Sequence, residues 1–129
     1  MPAPSGWYPK RGEVYFVQLD KPRPAVVLSV DALNKFALDV SVVGITSVEH
    51  RKFSVRVPIK NGEANLKFDC WAKCDQVTTL EKSLLRYPPI GVLPAATLRQ
   101  IENQVKVCLG LLSETGPPAP LHDPRRGPT

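Results

Sequence analysis

The chain has 129 residues, a formal net charge of +5 and 43% hydrophobic residues. A chain of this length forms one domain around one core, and its composition differs from that of disordered proteins. No apolar run approaches the ~20 residues that cross a bilayer, and residues 1–6 lack the basic and apolar segments of a secretory signal. We therefore expect a cytoplasmic protein without a membrane partner.

The 17 basic residues outnumber the 12 acidic residues. A moderately basic domain suits a polyanionic partner, because its field attracts negative charge. Many proteins of other function are equally basic, so the charge permits nucleic acid binding without requiring it.

Three cysteines, Cys70, Cys74 and Cys108, are an odd number and do not suit a disulfide framework. The spacing of Cys70 and Cys74 fits two zinc ligands, but a closed structural zinc site has four. The two histidines, His50 and His122, are far away in the sequence. We expect the cysteines to be small apolar side chains in or near the core, with no metal ion and no other cofactor.

Both ends of the chain are predicted to be flexible. Residues 1–9 mix Pro, Gly and Ser, and residues 113–129 contain five prolines. Segments with so few large apolar side chains bury too little surface to offset the entropy lost on ordering. The folded domain is therefore expected to span residues 10–112.

The first two thirds of the domain are predicted to be mostly β-structure, because aromatic and β-branched residues dominate short runs between turn signals. In the fourth run, Pro58 indicates a strand end or a sheet edge. Asn61-Gly62 is a turn signal. The predicted strands are residues 13–19, 25–30, 38–45 and 53–59, with one or two more within 66–77.

An amphipathic helix is predicted near the C-terminus, with Pro94 in its opening turn and Gly110 near its end. Strands followed by one packed helix predict an α+β domain with a small twisted barrel. The apolar stripe of the helix is Leu98, Ile101, Val105, Cys108 and Leu112.

The sequence contains no G-x-S-x-G, H-E-x-x-H or Gly-rich phosphate loop. Arg23 lies between two prolines at the start of a predicted strand, and Thr46-Ser47 follows another. Strand ends are common positions for site residues. On composition alone, a solvated arginine and a turn-forming Thr-Ser pair are the simpler interpretation.

Several short segments, in order, resemble those of the MazF/PemK/Kid toxins of type II toxin–antitoxin systems. The resemblance covers roughly residues 10–112 and includes a short helical stretch at 31–34. It implies an SH3-like or CcdB-like twisted β-barrel of five to seven strands with a C-terminal helix, assembled as a homodimer. The segments are Lys10-Arg11-Gly12-Glu13-Val14-Tyr15, Arg23-Pro24-Ala25-Val26-Val27-Leu28-Ser29, Ile45-Thr46-Ser47, Phe53-Ser54-Val55-Arg56-Val57 and Cys74-Asp75-Gln76-Val77.

The resemblance also implies a metal-independent endoribonuclease that cuts single-stranded RNA and is neutralised by a cognate antitoxin. The 2′-hydroxyl of the RNA attacks the adjacent phosphate, leaving a 2′,3′-cyclic phosphate and a 5′-hydroxyl. The enzyme then has to orient the 2′-oxygen and stabilise the charge that builds on phosphorus. Arg23 and Thr46 are the expected catalytic residues, since a guanidinium matches phosphate oxygens and a hydroxyl adds a donor.

Asp75 is the third residue to which the resemblance gives a catalytic role. It can accept the 2′-hydroxyl proton or hold Arg23 in place; a purely structural carboxylate is the open alternative. Lys73 offers a point charge where Kid has an arginine fork. The expected RNA-binding residues are Lys21, Ser47, Lys73 and Gln76.

Two features depart from the family pattern. Only Lys21-Pro22 separates Asp20 from Arg23, where relatives commonly have a long Gly-rich loop, so we expect a more open groove. Thr78 stands where a basic residue is usual. Two alternatives stay open: a non-catalytic CcdB-like barrel that binds a protein such as gyrase, and a generic SH3-like nucleic-acid-binding module. The second lacks a clear row of exposed aromatic residues.

Overall fold

A computed structural model describes residues 2–48 and 55–111. Six strands form one antiparallel sheet in the order β4-β5-β3-β2-β1-β6. The sheet curls into a half-barrel, and a C-terminal helix packs on it, which confirms the predicted α+β class. The elements are β1 (Glu13–Val17), β2 (Arg23–Val27), α1 (Asp31–Phe36), β3 (Asp39–Thr46), β4 (Arg56–Ile59), β5 (Cys70–Glu81), β6 (Gly91–Val92) and α2 (Ala95–Cys108), with short 3-10 turns at Glu63–Asn65 and Lys82–Leu84.

The sheet carries a core on each face, because alternate residues of a strand point to opposite sides. The face toward α2, called the helix face, buries Val14, Val26 and Val43 with Ile101 of α2. The opposite face, called the outer face, has a smaller cluster. That cluster comprises Tyr15, Val17, Ala25, Val27, Val40, Val42 and Leu85, with Trp7, Leu80 and Leu84 packed at its margin.

Helix α2 closes the larger core and confirms the predicted stripe. Ile101 and Val105 are buried, and Leu98 and Cys108 pack against the same cluster. Burial of a side chain such as Ile101 contributes about 1.5–3 kcal/mol. Leu112, the last residue of the predicted stripe, lies outside the described residues.

The cysteines lie where they were predicted. Cys70 and Cys74 are buried in the larger core, and Cys108 packs at its edge. Burial raises the pKa of Cys70 to about 11 and that of Cys74 to about 12, because a thiolate is poorly solvated there. The thiols therefore stay protonated near neutrality and act as apolar packing groups.

Several predicted boundaries change. The segment predicted as one or two strands within 66–77 is a single longer strand, β5, and β2 begins two residues earlier, because Arg23 pairs with Val17. Pro58 lies on β4, which is an edge strand as predicted. Strand β6 was not predicted, since two residues carry no pattern. It passes so close to the Glu63–Asn65 turn that a Cβ on Gly91 would clash with the Ala64 carbonyl group.

The ends of the domain are described in part. Pro9 is buried, and the Trp7 ring meets the Tyr15 ring edge-on at 5.8 Å between centroids. Flexibility of residues 1–9 stays a prediction, and the predicted tail at 113–129 lies outside the described residues, as do Phe53 and Ser54. No helix in the described part of the chain is long and apolar enough to span a membrane.

A buried asparagine joins three segments of the fold. The Asn34 amide nitrogen donates to the carbonyl oxygens of Ser29 (2.8 Å) and Pro9 (3.1 Å), and its oxygen accepts from the Ser29 hydroxyl (2.5 Å). The backbone N–H of Ser41 in turn donates to that hydroxyl at 3.0 Å. Asn34 therefore ties the N-terminal segment and the β2–α1 connection to α1, and through Ser29 to β3.

We expect Asn34→Ala to lower the free energy of unfolding by about 2–4 kcal/mol, because the buried Pro9 carbonyl and the partly buried Ser29 carbonyl lose their donor. Urea denaturation followed by circular dichroism measures this. Asn103→Ala, on the exposed side of α2, is the matched control and should change stability by less than about 0.5 kcal/mol. Equal stability of the two variants would contradict the structural role of Asn34.

Candidate active site on the outer face of the sheet

The pairing of β2 with β3 brings Arg23 and Thr46 together. Ala25 pairs with Gly44 and Val26 with Val43, so the same register continued by two residues sets Arg23 opposite Thr46. Val17, the partner of Arg23 on β1, belongs to the outer-face cluster. Direct partners in a sheet project to the same face, so both predicted catalytic residues project from the outer face.

Both residues line one cleft of about 290 Å³ at the ends of β2 and β3. Lys21 and Ser47, two of the predicted RNA-binding residues, line it as well. Half-exposed Phe68 supplies an apolar wall. The remaining lining residues are Pro22, Pro24, Ile45 and Val48, so no Asp, Glu or His lines the cleft within the described residues.

The backbone that follows β3 makes a hydrogen bond to the Thr46 hydroxyl and so orients it. The Val48 N–H donates to Thr46 Oγ1 at 3.1 Å, which uses one acceptor position of the hydroxyl and leaves its O–H donor available. Arg56 Nη1 donates to the Val48 carbonyl at 2.7 Å. This contact fixes the segment that follows β3 from the neighbouring side of the sheet.

Lys73 does not line the cleft but lies beside it, over Gly44, which has no side chain. Gly44 lies between Ala25 and Lys73 in the sheet, and a Cβ on Gly44 would stand 3.1 Å from Lys73 Cε. Lys73 also pairs with Arg56 of β4. Across the sheet, the next row of neighbouring residues therefore comprises Ala25, Gly44, Lys73 and Arg56. It places the cations of Lys73 and Arg56 beside the row that holds Arg23 and Thr46.

A large β-bulge separates the other predicted residues from the cleft. Val43 pairs with Val77 and Ile45 with Ala72, so the single residue Gly44 is opposed by four residues of β5 (73–76). Bulges redirect side chains and are common beside active sites. Asp75 and Gln76 are exposed on this bulge and do not line the cleft.

The Asp75 carboxylate lies on the side of α2. It contributes, after burial, to raising the pKa of the Cys108 thiol. Within the part of the chain that the structure describes, no group of three or more His, Cys, Asp or Glu residues could hold a metal ion.

Two residues near the site were not singled out from the sequence. Arg56 supports the 47–48 segment, and Trp71 pairs with Thr46 and belongs to the same row. The alternation of Val55 and Val57 with Arg56 and Pro58 already indicated that Arg56 faces away from the core. For Trp71 the sequence carried no comparable signal, because the face it occupies depends on the register of β5 against β3.

The arrangement suits a phosphodiester. Lys21 and Arg23 line the cleft with two hydroxyl donors, and Lys73 and Arg56 lie in the neighbouring row. The only ion pair within residues 2–48 and 55–111 joins Arg11 to Glu102, so within these residues the four cations have no carboxylate partner and form a preorganised positive site for phosphate oxygens.

Known proteins match this chain in sequence and in structure. The chain is 33% identical to the endoribonuclease MazF9 of Mycobacterium tuberculosis, over 81% of this chain and 98% of that protein. It is 27% identical to the endoribonuclease MazF of Staphylococcus saprophyticus, over 79% of this chain and 92% of that protein. The chain is thus a homologue of MazF endoribonucleases.

Solved structures share the fold. A mycobacterial endoribonuclease in complex with its cognate antitoxin superposes with a TM-score of 0.72 at 25% identity, covering 82% of this chain and 99% of that one. The Mycobacterium tuberculosis toxin MazF-mt6 gives a TM-score of 0.70 at 23% identity, covering 78% and 99%. The sequence itself matches the PemK-like, MazF-like toxins of type II toxin–antitoxin systems over residues 10–109. The family resemblance inferred from the short motifs is confirmed: this chain belongs to the PemK/MazF family of type II toxin–antitoxin toxins.

Proposed function

We propose that this chain is a metal-independent endoribonuclease that cleaves single-stranded RNA by attack of the RNA's own 2′-hydroxyl. The observation that carries the proposal is the meeting of Arg23 and Thr46 in one basic cleft, at opposed positions of β2 and β3. The endoribonucleases among its homologues support the reaction class.

In the proposed reaction a bond forms between the 2′-oxygen and phosphorus as the bond from phosphorus to the 5′-oxygen breaks. One proton leaves the 2′-hydroxyl and one is taken up by the departing 5′-oxygen, so the products are a 2′,3′-cyclic phosphate and a 5′-hydroxyl. Arg23 holds the non-bridging oxygens with its planar fork of donors. Thr46 and Ser47 donate hydroxyl hydrogen bonds to the charge that develops in the transition state.

The alternative of a non-catalytic CcdB-like barrel that binds a protein predicts no chemistry at this cleft. The homology to endoribonucleases and the cations beside two hydroxyls in the cleft favour cleavage of RNA. Lys73, which lies over Gly44 in the neighbouring row, adds a positive charge that favours a polyanion.

We expect cleavage of a long single-stranded RNA to persist in excess chelator and to fall about 10²–10³-fold in Arg23→Ala, the loss typical of one transition-state donor. Thr46→Val should lose a similar factor, while Thr46→Ser keeps the hydroxyl and most of the activity. Gel electrophoresis of an end-labelled transcript measures the rates.

Arg99→Ala removes a cation from the exposed side of α2 and is the matched control for Arg23→Ala. Cleavage that stops in chelator, or that proceeds equally with wild type and Arg23→Ala, contradicts the proposal. A 5′-phosphate in place of the 5′-hydroxyl at the cut would also contradict it, because a different bond would have been broken.

Asp75 is proposed as the general base. Its carboxylate is exposed on the same bulge as Lys73, two residues away, although it does not line the cleft of its own chain. We expect Asp75→Asn to lower kcat by about 10²–10⁴-fold, measured on the same end-labelled transcript. A variant that retains kcat shows that Asp75 is a structural carboxylate beside Cys108.

We also propose that the chain forms a homodimer and is neutralised by a cognate antitoxin, as the complex of a similar mycobacterial endoribonuclease suggests. Leu33, Phe36 and Leu38 are 59%, 80% and 83% exposed, an apolar surface that a partner chain would cover. The expected cytoplasmic location belongs to the same proposal.

Light scattering of the purified protein should give twice the chain mass of 14.2 kDa. A mass of one chain at micromolar concentration contradicts the homodimer. Addition of the antitoxin should then abolish RNA cleavage at a stoichiometric ratio.

A further inference from the structure

Two further depressions lie in a line with the basic cleft, and the three together are called the trough. Next to the cleft, the short β1–β2 connection forms a depression of about 700 Å³, which shares Lys21 and Arg23 with the cleft and is also lined by Asp20. Beyond the depression lies a second cleft of about 450 Å³, called the distal cleft. Its principal side chains are Trp7, Lys82, Arg86 and Tyr87.

The sheet fixes the distance between the two clefts. Val17 pairs with Arg23 on one side and bridges to Leu85 on the other, so Leu85 and Arg23 stand two strand spacings apart, about 10 Å. The N–H of Arg86 donates to the Phe16 carbonyl at 2.9 Å. The Arg86 Nε also donates to the Gln18 side chain, which lines the middle depression.

The distal cleft combines aromatic rings with cations. Trp7 meets Tyr87 edge-on at 6.1 Å between centroids and also rests on buried Tyr15. Lys82 Nζ is held by the Asn34 carbonyl at 2.8 Å. Arg86 is exposed, and within the described residues its terminal amino groups make no hydrogen bond, so they are available to a ligand.

We propose that the trough is an extended path for single-stranded RNA, in which the distal cleft holds a nucleotide remote from the scissile phosphate. Its base contacts the Trp7 and Tyr87 rings, and its phosphate contacts Arg86. Aromatic platforms beside cations are the general means of holding single strands without strict sequence preference. The inference rests on the proposed function. Because the β1–β2 connection is short, it leaves the surface between Arg23 and Arg86 uncovered.

Binding of uncleavable RNA tests the path. The probes are random-sequence 2′-O-methyl RNA pools of about 2 and about 15 nucleotides, followed by fluorescence anisotropy. The short pool has one internal phosphate and cannot occupy both clefts at once. We expect the long pool to bind more tightly and Arg86→Ala to weaken its binding about tenfold, while the short pool changes little. The slope of log Kd against log salt should fall by about 0.7 in the variant, the value for one phosphate contact to a single strand.

Tryptophan fluorescence distinguishes stacking of a base on Trp7 from the electrostatic contact of a phosphate with Arg86. The chain has two tryptophans, so Trp71→Phe leaves Trp7 as the only one, and the long pool should quench it while the short pool does not. Arg99→Ala is the control and should bind both pools as wild type does.

Equal binding of wild type and Arg86→Ala at all salt concentrations overturns the inference, as does an equal loss for both pools. Polyglutamate is a competitor that mimics an acidic protein segment. If it displaces the long pool completely and Trp7 fluorescence stays unquenched, the distal cleft binds acidic protein and the inference is overturned. If the protein binds the long pool through Arg86 but cleaves no RNA, the proposed function is overturned, while the inference that the distal cleft binds RNA is retained.

Discussion

The pairing register of β2 with β3 is the constraint on which the site depends. Val26 and Val43 are direct partners, and both are buried on the helix face. A slip of one residue would turn every side chain of one strand to the other face, which would exchange residues between the helix-face and outer-face cores and separate Arg23 from Thr46. The free energy of packing the core therefore also fixes the geometry of the cleft, with no contribution from the functional residues themselves.

The cations of the cleft are held close together at an electrostatic cost. Lys73 lies against Gly44 and pairs with Arg56, and like charges at such spacing repel. The rigid sheet bears this repulsion, because Val57, Ala72 and Cys74 on the reverse of the same strands are buried in the core. A bound polyanion relieves the repulsion, so its binding gains free energy from charges that are already in place.

The strands, the amphipathic helix and the buried cysteines were predictable from local sequence patterns, because each depends on residues within one segment. Arg23, Thr46 and Ser47 were identified from the order of family motifs, and Lys21 follows from its position beside Arg23. The bulge at residues 73–76 was not predictable, because it arises between two strands. It places Lys73 over Gly44, beside the cleft, and Asp75 on the side of α2. The distal cleft joins residues 7 and 82–87 through pairing with β1, a contact that no local pattern encodes.

The exposure of the trough to water affects how strongly its charges can stabilise a transition state. Charges act weakly on a substrate surrounded by water and strongly once water is excluded. Within the described residues no long β1–β2 loop covers Arg23 and Thr46, so a bound strand itself has to exclude water there. In the proposed path, contacts remote from the scissile phosphate, at Trp7 and Arg86, supply binding energy that holds the strand in place over the reacting atoms. An enzyme built in this way depends on the length of the strand it binds as much as on the bases at the cut.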